Sequence, residues 1–132
     1  MLLVIHGSSA VAEGTVANLI VKNRPEWRYV PPETIGAIVA QLGMEMDDDN
    51  ELAAMFYAEC IRGLWEEGCH VVQTASGLPK SVQKEMADEI TTVFIVDAKK
   101  TKKSFDHMID SEGMSAKKIY EAMVPLLKGM EA

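Results

Sequence analysis

The residues that most constrain this chain are Leu2-Leu3-Val4-Ile5, an unbroken apolar run that gives way at once to His6, Gly7 and a small-residue stretch. A half-buried strand alternates apolar and polar side chains; a run without alternation is buried on both faces, which marks a strand inside a parallel sheet. Parallel neighbours cannot be joined by a tight turn and need a crossover, usually a helix. Val16, Ala17, Leu19 and Ile20 then recur at helical spacing. The opening therefore reads as a strand, a loop over 7–14 and a helix over 15–22.

The same alternation continues along the chain. Trp27 to Val30 is a weak strand closed by Pro31 and Pro32, and Ile35, Ile38, Val39 and Leu42 form one stripe of a helix over 33–42 that Gly43 stops. Asp47, Asp48, Asp49 and Asn50 read as the capped start of a helix over 51–67, ended by Gly68; a calcium loop would need alternating oxygen ligands that are missing. A strand over 69–74, a broken stretch, a helix over 82–90 and a strand over 93–96 follow. A last helix spans about 115–130, with Pro125 expected to kink or break it. The expectation is one α/β domain over 1–132: a small three-layer arrangement of four parallel strands with flanking helices on both faces.

Charge narrows the partners. Twenty Asp and Glu against 13 Lys and Arg leave a net charge of −7, which repels nucleic acid and anionic membranes, so neither is an expected partner. No apolar run approaches the roughly 20 residues that span a bilayer, and the expected setting is cytoplasmic. Cys60 and Cys69 lack CxxC spacing and read as buried structural thiols; His6, His70 and His107 form no ligand pair, so no metal site is expected.

The first strand-to-helix turn is where an open α/β sheet gathers loop amides and a helix N-terminus around a ligand. Here it reads Gly7-Ser8-Ser9-Ala10-Val11-Ala12-Glu13-Gly14-Thr15. A second segment follows the third strand: Gly77-Leu78-Pro79-Lys80-Ser81-Val82-Gln83. The first resembles the adenylate kinase form of the Walker A loop, G-x-x-G-x-G-K-G-T, matching at Gly7, Gly14 and Thr15 and departing at Ala10, Ala12 and Glu13. The second is similar to the G-F-P-R-T-x-x-Q segment of nucleoside monophosphate kinases.

Together the two segments resemble that family in layout over residues 1 to 100, and the resemblance implies a P-loop kinase-like fold. It implies a phosphate loop at Gly7, Ser8, Ser9, Glu13, Gly14 and Thr15, and an acceptor side at Gly77, Pro79, Lys80 and Gln83. Lys80 takes the place of the family's arginine and is the catalytic candidate of an active enzyme. Lys99, Lys100, Lys102 and Lys103 would form a lid-like basic cluster in place of the usual arginines. ATP and magnesium would be cofactors only in that case.

The departures fall on the chemistry. Glu13 stands where the family's lysine would be, Ser76 replaces a magnesium-organising aspartate, and Val30-Pro31-Pro32-Glu33-Thr34-Ile35-Gly36 carries no arginine for a monophosphate. A carboxylate ~4 Å from a phosphate charge at an effective dielectric of ~20 costs about 4 kcal/mol, roughly a thousandfold in affinity. At a helix N-terminus the same carboxylate is favourable. Glu13 is therefore expected to cap its own helix and to stand in for phosphate.

The resulting expectation is a degenerate nucleoside monophosphate kinase-like protein without catalysis, binding a nucleotide or a protein partner in a regulatory role. The alternative is a divergent small (deoxy)nucleoside monophosphate kinase using ATP. The last helix, with Ile119, Met123, Leu126 and Leu127, is placed equally well against the sheet or in a homodimer, and the nine methionines read as core filling.

Overall fold

In chain order the elements are β1 (Leu2–Gly7), α1 (Ala10–Asn23), β2 (Trp27–Tyr29), α2 (Pro32–Gln41), α3 (Glu51–Glu66), β3 (His70–Thr74), α4 (Lys80–Glu85), a short 3-10 turn (Ala87–Glu89), β4 (Ile90–Ile95), β5 (His107–Ile109) and α5 (Ala116–Glu131). The computed structural model describes residues 2–7, 10–45, 50–95, 107–109 and 113–132, with backbone alone for 10–12, 91–95 and 108.

The opening apolar run lies in the middle of the sheet. β1 pairs in parallel with β3 on one side and β4 on the other, Leu3 standing opposite Val72 and Thr91. β2 adds to β3 and β5 to β4, also in parallel, giving the order β2-β3-β1-β4-β5. This is neither the 3-2-1-4-5-6 order of dinucleotide-binding folds nor the 2-1-3-4-5 order of flavodoxin-like ones.

Because side chains alternate across a strand, β1 feeds two cores. Leu2 and Val4 pack with Ile35 and Val39 of α2, Tyr57 and Ile61 of α3, Val82 of α4, and Met86 just after it. Leu3 and Ile5 pack with Val16 and Ile20 of α1, Trp27 of β2, and Met123 and Leu127 of α5. All four β1 residues are at most 1% exposed, as the lack of alternation required. The last helix thus covers a face of the sheet, and the parallel α/β architecture with helices on both faces is as expected.

Five details differ from the sequence reading. The sheet has five strands among the described residues, not four; β5 is a three-residue edge strand, too short for its pattern to register. β4 begins at Ile90, inside the segment expected to be helix, because α4 closes after six residues and the β-branched Ile90-Thr91-Thr92-Val93 favours extended chain. α5 runs through Pro125 without ending; Pro125 and Glu121, whose carbonyl loses its donor, both face solvent, where water can satisfy it. Cys60 and Cys69 are half-buried and free rather than buried.

The fifth difference is the one nearest the site: α1 starts at Ala10, not Thr15. Ala-Val-Ala-Glu is a good helix-forming sequence, so residues expected to form a wide loop become the first helical turn. Gly43 and Gly68, at φ +80 and +86, end α2 and α3 as expected. Asn50 caps α3 by accepting from the Ala53 amide at 3.0 Å, while Asp47 to Asp49 lie outside the described residues.

Candidate functional site

The carboxyl ends of β1, β2 and β3 meet the starts of α1 and α2 on one edge of the sheet. There Glu13, the fourth residue of α1, is 3% exposed. Its carboxylate accepts from the Gly7 backbone N–H at 3.0 Å. It also accepts from the Ser76 backbone N–H at 3.2 Å and the Ser76 hydroxyl at 2.7 Å. A buried carboxylate is costly unless its lone pairs are met; here three donors from two loops meet them.

The expectation that Glu13 caps its own helix is thus corrected. With α1 starting at Ala10, Glu13 sits past the free amides of the first turn and reaches back to β1 and across to the β3–α4 loop. Only residues 8 and 9 are left between β1 and α1, where the sequence reading placed a loop over 7–14. Ala10 and Ala12 supply no positive-φ freedom to open one. Had position 76 held an aspartate, two carboxylates would face each other; Ser76 supplies a donor instead.

The β3–α4 loop that presents Ser76 is tightly held. The Ala75 N–H donates to the Ile5 carbonyl at 2.9 Å, and the Gln83 amide donates to the Leu78 carbonyl at 2.7 Å. Gly77 is required by close approach: a Cβ there would lie 2.1 Å from Cγ of Pro32 and 2.9 Å from Oγ1 of Thr74. This contact sets how closely the loop abuts the start of α2, which Pro32 initiates.

Beside Glu13 opens a cleft of about 540 Å³, within the range of small-molecule sites. Gly14, Thr15 and Asn18 of α1 form one wall, Ser76, Gly77 and Thr74 the floor, and Tyr29 with Pro31, Pro32 and Glu33 the other wall. A Cβ on Gly14 would meet nothing within 4 Å. Tyr29 is hydrogen-bonded to Thr74, and burial, the largest influence, pushes its hydroxyl pKa up, with Glu33 and Glu13 adding in the same direction.

Behind the cleft, buried Gln73 locks the β2 end in place. Its amide accepts from the Val30 N–H and donates to the Val30 carbonyl, both at 2.9 Å, and donates to the Tyr57 hydroxyl at 2.6 Å. All its main hydrogen-bonding capacity is used, so its burial carries no penalty. Burial also drives the Tyr57 hydroxyl well above its ordinary range.

The expected site residues thus divide. Gly14, Thr15 and Gly77 line the cleft, and Gly7 and Glu13 are joined beside it. Pro79 caps α4 without a side-chain bond, and Gln83 is spent on the loop. Lys80 is brought elsewhere, to a groove of about 640 Å³ between α3 and α4 shared with Glu51, Met55, Ser81 and Lys84. Ser8, Ser9, Lys99, Lys100, Lys102 and Lys103 lie outside the described residues. Sequence reasoning passed over Asn18, Tyr29 and Thr74, whose only signal was their place at strand ends and on the first helix.

Among the described residues no group of three or more His, Cys, Asp or Glu side chains is placed to hold a metal ion, and no helix is long and apolar enough to cross a membrane. No protein-family model and no curated protein matches the chain.

Proposed function

We propose that this chain is a P-loop kinase-like domain that has exchanged phosphoryl transfer for binding: a degenerate nucleoside monophosphate kinase-like module whose ligand occupies the cleft between α1, β2 and the β3–α4 loop. One observation carries the reading. The Glu13 carboxylate takes the Gly7 amide and the Ser76 amide and hydroxyl, the donors at the carboxyl edge of the sheet that would otherwise be offered to an anion.

Phosphoryl transfer depends on positive charge around the moving group. The described lining of the cleft holds none, and Glu13 and Glu33 would oppose it. The divergent-kinase alternative draws less support, since Lys80 faces the α3–α4 groove instead of this cleft. A protein partner remains compatible with the cleft as a binding surface for a side chain or terminus.

Calorimetric titration of the full chain with ATP and magnesium, beside a coupled assay across ribo- and deoxynucleoside monophosphates, tests the reading. No saturable triphosphate binding and no turnover are expected. Turnover that disappears in Lys80→Ala would overturn it in favour of the kinase.

A further inference from the structure

The cleft beside Glu13 is chemically one-sided. No lysine, arginine or histidine is among its described lining residues, and the one charged side chain there is Glu33, exposed at the rim in the first turn of α2. Ser76 adds to the asymmetry. A carboxylate only accepts hydrogen bonds, so the single hydroxyl proton of Ser76 is committed to Glu13 at 2.7 Å, and toward a ligand the Ser76 oxygen can only accept.

Two carboxylates therefore bear on this space. Glu33 borders it directly and Glu13 lies behind Ser76; both push the Tyr29 hydroxyl pKa in the same direction as burial does. Pro31, Pro32 and Tyr29 supply apolar surface against which a ligand body can rest. An anion placed in the cleft would find repulsion and, among the described residues, no counter-charge.

We propose that the cleft binds a small organic cation, a primary amine with an aromatic or aliphatic body, whose ammonium donates to Glu33 and Ser76 while the body packs on Pro31, Pro32 and Tyr29. The inference deepens the reading of this cleft as the binding site and rests on it. It commits the ligand to a charge sign opposite to that of a nucleotide.

Three probes of one shape and different charge test it: phenethylamine, phenethyl alcohol and phenylacetate, titrated calorimetrically into the full chain. The amine is expected to bind about fivefold tighter than the alcohol, the gain typical of an exposed ion pair with an aromatic neighbour, and phenylacetate weakest. Raising the salt concentration should narrow the gap. Glu33→Gln should bring the amine down to the affinity of the alcohol and leave the alcohol unchanged; circular dichroism checks that this exposed substitution keeps the fold.

Equal binding of amine and alcohol, preference for phenylacetate, a Glu33→Gln variant that keeps the preference, or no binding of the amine would each overturn the proposal. The ATP titration separates the two levels. Triphosphate binding defeats the reading of the site as a whole, whereas ATP exclusion combined with indifference to the amine defeats only the cationic ligand.

Discussion

Two glutamates tie this sheet together at opposite edges, and they do it by different physics. At the carboxyl edge Glu13 accepts from uncharged donors, the Gly7 amide and the Ser76 amide and hydroxyl. At the amino edge Glu131, near the end of α5, holds Arg24 through its Nε and, at 2.5 Å, its Nη2, and accepts from the Trp27 indole N–H at 2.9 Å. Its carboxyl pKa falls to about 2, chiefly through the Arg24 hydrogen bond, and the Arg24 guanidinium is held even more firmly protonated.

The difference separates a site from a clasp. The Arg24–Glu131 pair neutralises itself and fastens the last helix to the end of α1 and the start of β2. Glu13 fastens the end of β1 to the β3–α4 loop without cancelling its charge, because amides and hydroxyls bring none. A negative charge is thereby planted beside a cleft. The first arrangement belongs to stability, and on the reading proposed above the second belongs to recognition as well.

Removing Glu13 should have the largest effect. Glu13→Ala opens a hole at a position only 3% exposed and takes the acceptor from three donors, of which an unsatisfied buried one costs ~1–3 kcal/mol; a loss of about 3 kcal/mol is expected in urea unfolding. Added formate should restore part of it in the variant and none in the parent. An unchanged unfolding midpoint would mean that Glu13 binds nothing that matters to the fold.

Gly77→Ala comes next. A Cβ at 2.1 Å from Cγ of Pro32 must push the β3–α4 loop off the start of α2, with an overpacking cost of about 2 kcal/mol. Thermal unfolding measures the loss, and a weakened amine affinity would show that the same contact shapes the cleft. Unaltered stability would show that α2 yields freely.

The clasp gives the smallest effect and the one governed by pH. Glu131 has an ordinary pKa of 4.5 in the unfolded chain and about 2 when folded. A group with a depressed folded pKa stabilises above its unfolded value, and that contribution fades as pH falls from about 4.5 toward 2. For this partly exposed pair, about 1 kcal/mol is expected. Chemical unfolding of the parent and Glu131→Gln across that interval should converge at the acid end, and high salt should shrink the gap. Parallel curves would mean that the ion pair contributes nothing measurable.

Much of the architecture was legible because it depends on patterns a chain carries locally. The uninterrupted run of Leu2 to Ile5 announced a strand buried on both faces, and Gly43 and Gly68 marked helix ends by their need for positive φ. What escaped was marginal or contextual. β5 has only three residues, and its pairing with β4 supplies what propensity does not. The start of α1 was misjudged because the small residues of 7–14 read as a loop, although the propensity of Ala10 to Glu13 is helical. Lys80 was grouped with Gly77 because both fell on one family segment, yet three residues of helix entry suffice to turn it into another groove.

By itself the sequence determined an acidic α/β chain, a parallel sheet centred on its first strand, and a glutamate where a phosphate-binding loop would want a lysine. Only the tertiary structure decided what that glutamate does. Its partners, Gly7 and Ser76, stand 6 and 63 residues away, and the clasp between Arg24 and Glu131 spans 107. Periodicity and propensity act over a few residues, whereas a carboxylate is satisfied by whichever donors the folded chain brings within 3 Å.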